Sequence, residues 1–396
     1  MESDIRGLAR GGSLEGLGSL FALWNFIIRP PRTTYTAEDL GPSEFQVGGQ
    51  RAMRKDLKLR SSRGVSLACS HFTPKQDRDD ELQQFPVVIY LHGNSSNRLE
   101  AGSLVAEFIS RRISLFCFDA AGCGLSGGEY VSLGWYERDD LATVVKYLRT
   151  NPECGPIGIW GRSMGAATAL LHADRDPTLG AICLDSSYAD FRMLAEDFAQ
   201  SYAVMFPIPD WLLTAALSVV RSKVQKLADF DIDHLVPLNH AKRSTVPALF
   251  MHATGDTLIP HKHSQLLSDA YFGEREFMTV DGDHNSPRSE SVNRYAINFF
   301  CRQLSFASRG FDSSVQTSPV VHGASAHRVP PWKRRSLPKM SMSAKPPRAD
   351  ISACEILKPR ACMEDEHAPE FDKGGSDASL SPMRPESSMP ARRGGA

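Results

Sequence analysis

A serine between two glycines is the feature of this sequence best suited to chemistry. The motif GRSMG, residues 161–165, follows a short apolar run and precedes a helical pattern. This context predicts a strained strand-to-helix turn that lifts the serine hydroxyl clear of a sheet. Gly161 and Gly165 fit that turn because side chains at either position would clash with the strand or the helix. Ser163 is therefore the candidate nucleophile.

A serine hydroxyl attacks only when a base removes its proton, and the base needs an acid to orient it. His284 is the candidate base because it lies on a late loop, between an apolar run and the last helical pattern. Asp256 is the candidate acid because it follows the strand-like run at residues 246–252. Asp185, at the end of an earlier run, is the alternative acid. The chain order Ser163, Asp256, His284 is the order found in one class of serine hydrolases.

Acyl transfer also needs N–H donors for the negative oxygen that develops on the substrate. The main-chain N–H of Met164, directly after the nucleophile, is the first candidate. The loop at residues 92–97 follows an apolar strand and supplies the second, the main-chain N–H of Asn94. Gly93 is expected to let the backbone of this loop approach the site.

Short apolar runs alternate with helical patterns between residues 60 and 303, and this predicts an α/β fold. Continuous rather than alternating apolar runs indicate strands that are buried on both faces, as in a parallel sheet. The region from 188 to 243 breaks the rhythm with two helical patterns, and we expect a helical insertion over the site.

Two other patterns are interpreted as structural. The glycine-rich strand end at residues 118–126 lacks the lysine and the spacing of a phosphate-binding loop, so Asp119 is expected to bind local backbone. His261 and His263 are two residues apart and do not form a zinc motif. No metal site is predicted.

The ordered motifs HGN, FDAAGCGLS, GRSMG, GDTLIP and GDHNSPR resemble the α/β-hydrolase superfamily, and in particular its serine aminopeptidase-like branch. The segments IIRPPR and GEYVSLGWYERDDL resemble a eukaryotic subgroup of that branch. The resemblance covers about residues 25–304. It implies an eight-stranded, mostly parallel sheet with flanking helices, the roles given above for Ser163, Asp256 and His284, and no cofactor. Related protein depalmitoylases carry an N-terminal cysteine cluster, whereas the first cysteine here is Cys69.

Composition limits the class of protein. Lys plus Arg is 45 and Asp plus Glu is 46, a net charge of −1, which argues against nucleic acid as a partner. Hydrophobic residues make up 41% of the chain, enough for a sizeable core. Eight cysteines without C-x-x-C spacing fit a reducing, cytoplasmic compartment.

The predicted organisation has three parts: an N-terminal helix and linker at residues 1–56, a hydrolase domain at 57–304, and a disordered tail at 305–396. Apolar residues recur at helical spacing between 14 and 28 and are flanked by arginines. This helix either docks on its own domain or makes peripheral membrane contact. The sequence names no partner for the tail.

Three functions remain open at this level. The first is a serine hydrolase that cleaves carboxylic esters or thioesters of small-molecule, lipid-like or acyl substrates. The second is a serine aminopeptidase, in which Glu196 and Asp197 would hold the substrate amine. The third is a non-catalytic scaffold. Four apolar residues of the insertion either line an acyl pocket or pack two helices together: Met205, Phe206, Trp211 and Leu212.

Overall fold

The computed structural model describes residues 24–25, 27–75, 84–202 and 209–310. Most of the predicted N-terminal helix and the predicted tail beyond residue 310 lie outside the described residues. The last helix continues to Gly310, five residues beyond the predicted start of the tail at 305.

A single sheet organises the described residues. Its strands are β1 Glu44–Val47, β2 Gln50–Arg60, β3 Ser66–Pro74, β4 Phe85–Leu91, β5 Ser114–Phe118, β6 Cys154–Arg162, β7 Ala181–Asp185, β8 Ala248–Ala253 and β9 Arg275–Val280. Their order is β1-β2-β3-β5-β4-β6-β7-β8-β9. The pairs from β5 to β9 are parallel, whereas β1, β2 and β3 join antiparallel at one edge. The predicted α/β class with a mostly parallel sheet is confirmed.

The described part of the sheet has nine strands, one more than the eight expected. The additional strand belongs to the hairpin of β1 and β2, which turns at Gly48 and Gly49 with φ of 54° and 84°. Two consecutive residues with positive φ form the turn that matches the twist of a two-residue hairpin, and glycine adopts this conformation without strain. The predicted domain start at residue 57 therefore falls inside β2.

Helices cover both faces of the sheet. They are α1 Gly102–Ser110, α2 Glu137–Thr150, α3 Met164–Ala173, α4 Phe191–Tyr202, α5 Asp210–Ala228, α6 Pro237–Ala241, α7 Lys262–Ala270 and α8 Glu290–Gly310. One face packs on α1 and α8 through Phe108 and Phe300. The other packs on α2, α3 and α7 through Leu141, Leu170 and Leu267. Alternate residues of the same strands point into the two cores, which explains their continuous apolar sequences.

Parallel pairing brings the carboxyl ends of six strands to one edge of the sheet. The loops after β4, β6, β7, β8 and β9 begin there, and they carry Gly93, Ser163, Ser186, Asp256 and His284. Open α/β sheets bind ligands outside the carboxyl ends of their strands. The motifs that are dispersed along the sequence therefore meet at this edge.

The insertion between β7 and β8 is helical and packs on the residues around the site. Val220 and Val224 of α5 share an apolar cluster with Ile259, which lies three residues after Asp256. Ile27 and Ile28, at the end of the predicted N-terminal helix, are buried in the same cluster. No helix within the described ranges is long and apolar enough to cross a bilayer.

His71 of β3 makes the fold sensitive to acid. Its imidazole is buried against Phe116, and its Nε2 atom has no hydrogen-bond partner among the described residues. Burial, with a smaller contribution from Lys55, lowers the pKa of His71 to about 4 from the ordinary 6.5. The folded protein therefore keeps this imidazole neutral while the unfolded chain takes up a proton. The stability that the neutral imidazole contributes is present above pH 6.5 and is lost as the pH falls from 6.5 towards 4.

We predict that His71→Phe removes this loss, which amounts to roughly 3 kcal/mol between pH 6.5 and 4. Urea unfolding of wild type and variant at a series of pH values measures it. Phe116→Leu is the matched control, because it disturbs the same packing without removing a titratable group. It should lower stability equally at every pH. An unchanged pH slope in His71→Phe would contradict the prediction.

Candidate active site

Ser163 occupies a strained turn between β6 and α3. Its φ of 53° and ψ of −117° lie outside the regions favoured by L-residues. The turn is held because the Ser163 N–H donates to the carbonyl of Asp185 on the neighbouring strand, at 2.8 Å. The hydroxyl therefore stands at the carboxyl edge of the sheet, at the amino end of a helix.

The flanking glycines are required by backbone contacts. A Cβ at Gly161 would lie 2.2 Å from the carbonyl oxygen of Gly165. A Cβ at Gly165 would lie 2.2 Å from the carbonyl oxygen of Leu91 in β4. Neither atom is the end of a flexible side chain, so neither can move away cheaply.

Three side chains that are distant in sequence form one hydrogen-bonded chain. The Oγ atom of Ser163 is 3.0 Å from Nε2 of His284, and Nδ1 of His284 is 2.7 Å from Oδ2 of Asp256. A carboxylate only accepts, so Nδ1 carries the proton and Nε2 offers its lone pair to the serine hydroxyl. This is the geometry in which an imidazole can remove the proton from a serine.

Asp256 is buried and fully engaged. Its Oδ1 atom accepts the N–H groups of Leu258 at 3.0 Å and Ile259 at 2.8 Å. Burial alone would raise the pKa of this carboxyl, but hydrogen bonds from His252 and His284 outweigh it and hold the pKa below its ordinary value. The carboxylate is therefore ionised opposite His284 at neutral pH.

His252 contributes to this arrangement, although the sequence pattern assigned it no role. Its Nε2 atom lies 2.7 Å from the carbonyl of Ile259 and 3.2 Å from Oδ2 of Asp256. Because the carbonyl only accepts, Nε2 must carry a proton and face the carboxylate as a donor. The available signal was its position, four residues before Asp256 at the end of a buried strand.

The loop after β4 lies beside the nucleophile. A Cβ at Gly93 would be 3.7 Å from the Cβ of Ser163, so the loop comes close to this residue, but a methyl group there would make only an ordinary contact. The Gly93 N–H donates to Oε2 of Glu100 at 3.2 Å. By contrast, the main-chain N–H groups of Asn94 and Met164 make no hydrogen bond to any residue that the structure describes. These two amides are free to bind an oxygen of a ligand.

Comparison with known proteins identifies the family of this chain. Residues 83–231 match a family model described as serine aminopeptidase, S33. The Bacillus subtilis protein YqkD, itself named as uncharacterized, is 30% identical over 216 residues, which span 52% of this chain and 68% of YqkD. The chain belongs to the serine aminopeptidase S33 family of α/β hydrolases.

Other similar proteins differ in name and in the length that matches. The Danio rerio lysophosphatidylserine lipase ABHD12 is 26% identical over 231 residues, 53% of this chain and 57% of that protein. Several curated relatives are, like it, covered over less than two thirds of their own length. Among solved structures, the Pyrococcus furiosus esterase Pf2001 gives a TM-score of 0.52 at 22% identity and covers 70% of this chain and 100% of its own. An acetyl xylan esterase from Paenibacillus sp. R4 gives 0.53 at 16% identity, with coverages of 71% and 98%. These two structures show the same fold.

The other carboxylates proposed from the sequence of this S33-family hydrolase are already engaged. Asp185, the alternative acid, pairs with Arg288 through two bonds of 2.9 and 2.8 Å. Asp197 accepts from Lys262 and His263, and Glu196 pairs with Arg192. Within the described ranges, no group of three or more His, Cys, Asp or Glu side chains is arranged to hold a metal ion.

The predicted apolar residues of the insertion are only partly placed. Trp211 is 72% exposed and Leu212 is half-buried. Met205 and Phe206 lie outside the described residues. Trp211 therefore does not line an enclosed pocket in this structure.

The segment before the sheet, predicted as a linker, ties the surrounding loops together. Thr33 Oγ1 donates to the carbonyl of Ser95 at 2.7 Å, and the Tyr35 hydroxyl donates to Asp119 at 2.7 Å. Asp119 also accepts backbone N–H groups, which confirms its expected structural role. The Arg32 guanidinium donates to three carbonyls of the glycine-rich loop, those of Gly122, Ser126 and Gly128.

We predict that Gly165→Ala lowers the free energy of unfolding by about 2–3 kcal/mol, because the added methyl meets rigid backbone. Gly93→Ala is the matched control, since its methyl meets only ordinary contacts, and its stability should stay within about 1 kcal/mol of wild type. Denaturant unfolding of the two variants checks this. Equal stability of both would show that the turn tolerates a side chain at residue 165.

Proposed function

We propose that this S33-family protein is a serine hydrolase that cleaves carboxylic esters or thioesters through an acyl-enzyme. The observation that carries the proposal is the continuous chain from Ser163 Oγ through His284 to Asp256, beside two uncommitted main-chain N–H groups. Nucleophile, base, orienting acid and oxyanion donors are the parts that acyl transfer needs.

In the first half-reaction, Oγ of Ser163 attacks the acyl carbon while its proton passes to Nε2 of His284. The carbonyl oxygen becomes negative and accepts the N–H groups of Asn94 and Met164. The imidazolium is stabilised by Asp256 and then protonates the departing alkoxide or thiolate as the bond to the acyl carbon breaks.

In the second half-reaction, water attacks the acyl-serine as His284 removes its proton. The new C–O bond forms, the ester bond to Oγ breaks, and His284 returns the proton to Ser163. The carboxylic acid leaves, and the site regains its starting protonation state.

Apolar surface beside the nucleophile supports an acyl substrate. Half-buried Leu133 packs with Met164 on one side. On the other, it belongs to the cluster that contains Leu194 of the insertion and Leu258 beside Asp256. Such surface suits the hydrocarbon part of an ester. The names of the relatives, a lysophosphatidylserine lipase and two esterases, are consistent with this chemistry.

A serine aminopeptidase is the second candidate, because the matching family carries that description. It needs an acidic group for the free amine of the substrate. Asp197 and Glu196, the carboxylates proposed from the sequence for this role, are paired with cationic or histidine side chains. These pairings favour the esterase.

We predict that wild type hydrolyses p-nitrophenyl esters and that Ser163→Ala lowers kcat by about 10³-fold or more. Ser222→Ala, at an exposed serine of α5, is the control and should retain full activity. Mass spectrometry should find a fluorophosphonate probe on Ser163. A peptide library assayed in parallel tests the second candidate: release of amino acids by wild type, but not by Ser163→Ala, without ester turnover would replace the esterase by a peptidase. Equal ester turnover in Ser163→Ala would refute both.

We also predict that Asp256→Asn lowers kcat by about 10⁴-fold, because an amide no longer fixes the histidine tautomer or stabilises the imidazolium. Asp283→Asn is the matched control. Asp283 adjoins His284 in sequence, but its carboxylate binds its own loop, through Asn285 and Ser286. Ester kinetics should show a change of no more than a few-fold for this control. Comparable losses in the two variants would argue against Asp256 as the orienting acid.

A further inference from the structure

One ion pair joins three of the loops that meet at the site. Arg162, which directly precedes the nucleophile, is largely buried, as is its partner Glu100. Its Nη1 atom lies 3.3 Å from Oε1 of Glu100, and its Nη2 atom donates to the main-chain carbonyl of His284 at 2.8 Å. The turn that carries Ser163, here called the elbow, is thereby connected both to the loop of His284 and to the loop after β4.

Glu100 in turn fixes the loop beside the nucleophile. Its Oε2 atom accepts the Gly93 N–H at 3.2 Å, and its Oε1 atom accepts the Tyr90 hydroxyl at 2.8 Å. Since the Gly93 amide is used in this way, the next amide, that of Asn94, is the one left for a ligand. Glu100 therefore selects which N–H of this loop is available.

The position of Glu100 carries an electrostatic cost. A Cβ at Gly93 would lie 4.0 Å from Oε2 of Glu100 and 3.7 Å from the Cβ of Ser163. Gly93 thus lies between the Glu100 carboxylate and Ser163, and at this range the negative charge of Glu100 opposes the negative charge that develops on the substrate oxygen. A cation must balance it, and Arg162 is the cation in contact with it.

We propose that Arg162 is a positioning residue for the reaction: it holds the His284 loop against the elbow and neutralises Glu100, which in turn orients the Asn94 amide. This inference rests on the proposed function. It adds a pair that is 62 residues apart in sequence to the triad and the two amides.

The charges around His284 predict the direction in which each substitution shifts the protonation of its imidazole. Asp256 faces the imidazole directly, and Arg162 touches the backbone of His284. Further out, the Arg288–Asp185 pair braces the other side of the same loop through the carbonyls of Asp283 and Ser286. Loss of the Arg162 cation leaves Glu100 unbalanced and favours the protonated imidazole. Loss of the Glu100 charge leaves Arg162 unbalanced and favours the neutral one.

The test uses the full chain and four variants: Arg162→Met, Arg162→Lys, Glu100→Gln and the double variant Arg162→Met/Glu100→Gln. For each, kcat and KM with a p-nitrophenyl ester and the rate of fluorophosphonate labelling are measured from pH 5 to 9. Arg149→Met, which breaks a pair with Asp176 away from these loops, is the control and should match wild type. Thermal melting establishes that each variant is folded.

Arg162→Met should lower kcat by tenfold to a hundredfold with little change in KM, and should move the acidic limb of kcat/KM to higher pH. Glu100→Gln should move that limb to lower pH. The double variant should return the limb towards wild type and recover about tenfold in kcat over Arg162→Met, and Arg162→Lys should recover part of the loss. If Arg162→Met does not fold, Arg162→Gln replaces it, because glutamine also removes the positive charge but keeps hydrogen-bond donors, and its shift should be opposite to that of Glu100→Gln.

If the acidic limb moves in the same direction in Arg162→Met and in Glu100→Gln, or if folded Arg162→Met has wild-type kinetics, the role of Arg162 is overturned and the proposed function stays intact. A wild type that neither turns over the ester nor labels at Ser163 would instead reject the proposed function, and the positioning role with it.

Discussion

The backbone of Ser163 is the constraint on which the rest of the site depends. Its positive φ is maintained because three neighbouring parallel strands enclose the turn: β7 accepts its N–H, and β4 lies against Gly165. The same registration that strains the serine also fixes where the loops after β4 and β7 begin. The same strand order therefore produces both the strained backbone of Ser163 and the convergence of the surrounding loops.

Three buried or largely buried carboxylates at this edge of the sheet face cationic or histidine side chains. Asp256 faces two histidines, Asp185 is bound by Arg288, and Glu100 by Arg162. An unpaired charge in such a place would be strongly destabilising, so the pairing is a condition of folding as well as of function. Within the part of the chain that the structure describes, the main-chain amides of Asn94 and Met164 beside Ser163 are left without a hydrogen-bond partner. This arrangement agrees with the acyl substrate that we propose.

The segment before the sheet and the helical insertion both pack on the loops around the site. Ile27 and Ile28 bury themselves with helix α5, while Thr33 and Tyr35 hold the loops on which the amides depend. These contacts join the first described residues to loops some 60 to 90 positions later. The arrangement of the site thus depends on segments from many parts of the domain.

The sequence by itself determined the local features. Two glycines around a serine and continuous apolar runs are sufficient to predict the strained turn and the buried parallel sheet, because each depends on sterics or burial within a few residues. The order of the motifs pointed to Ser163 and His284 and left Asp185 beside Asp256 as a possible acid. The tertiary structure decided which acid His284 binds, the antiparallel β1 strand, the support from His252 and the Arg162–Glu100 pair. These depend on distances between loops that approach one another only when the strands have paired, and no pattern along the chain encodes such distances.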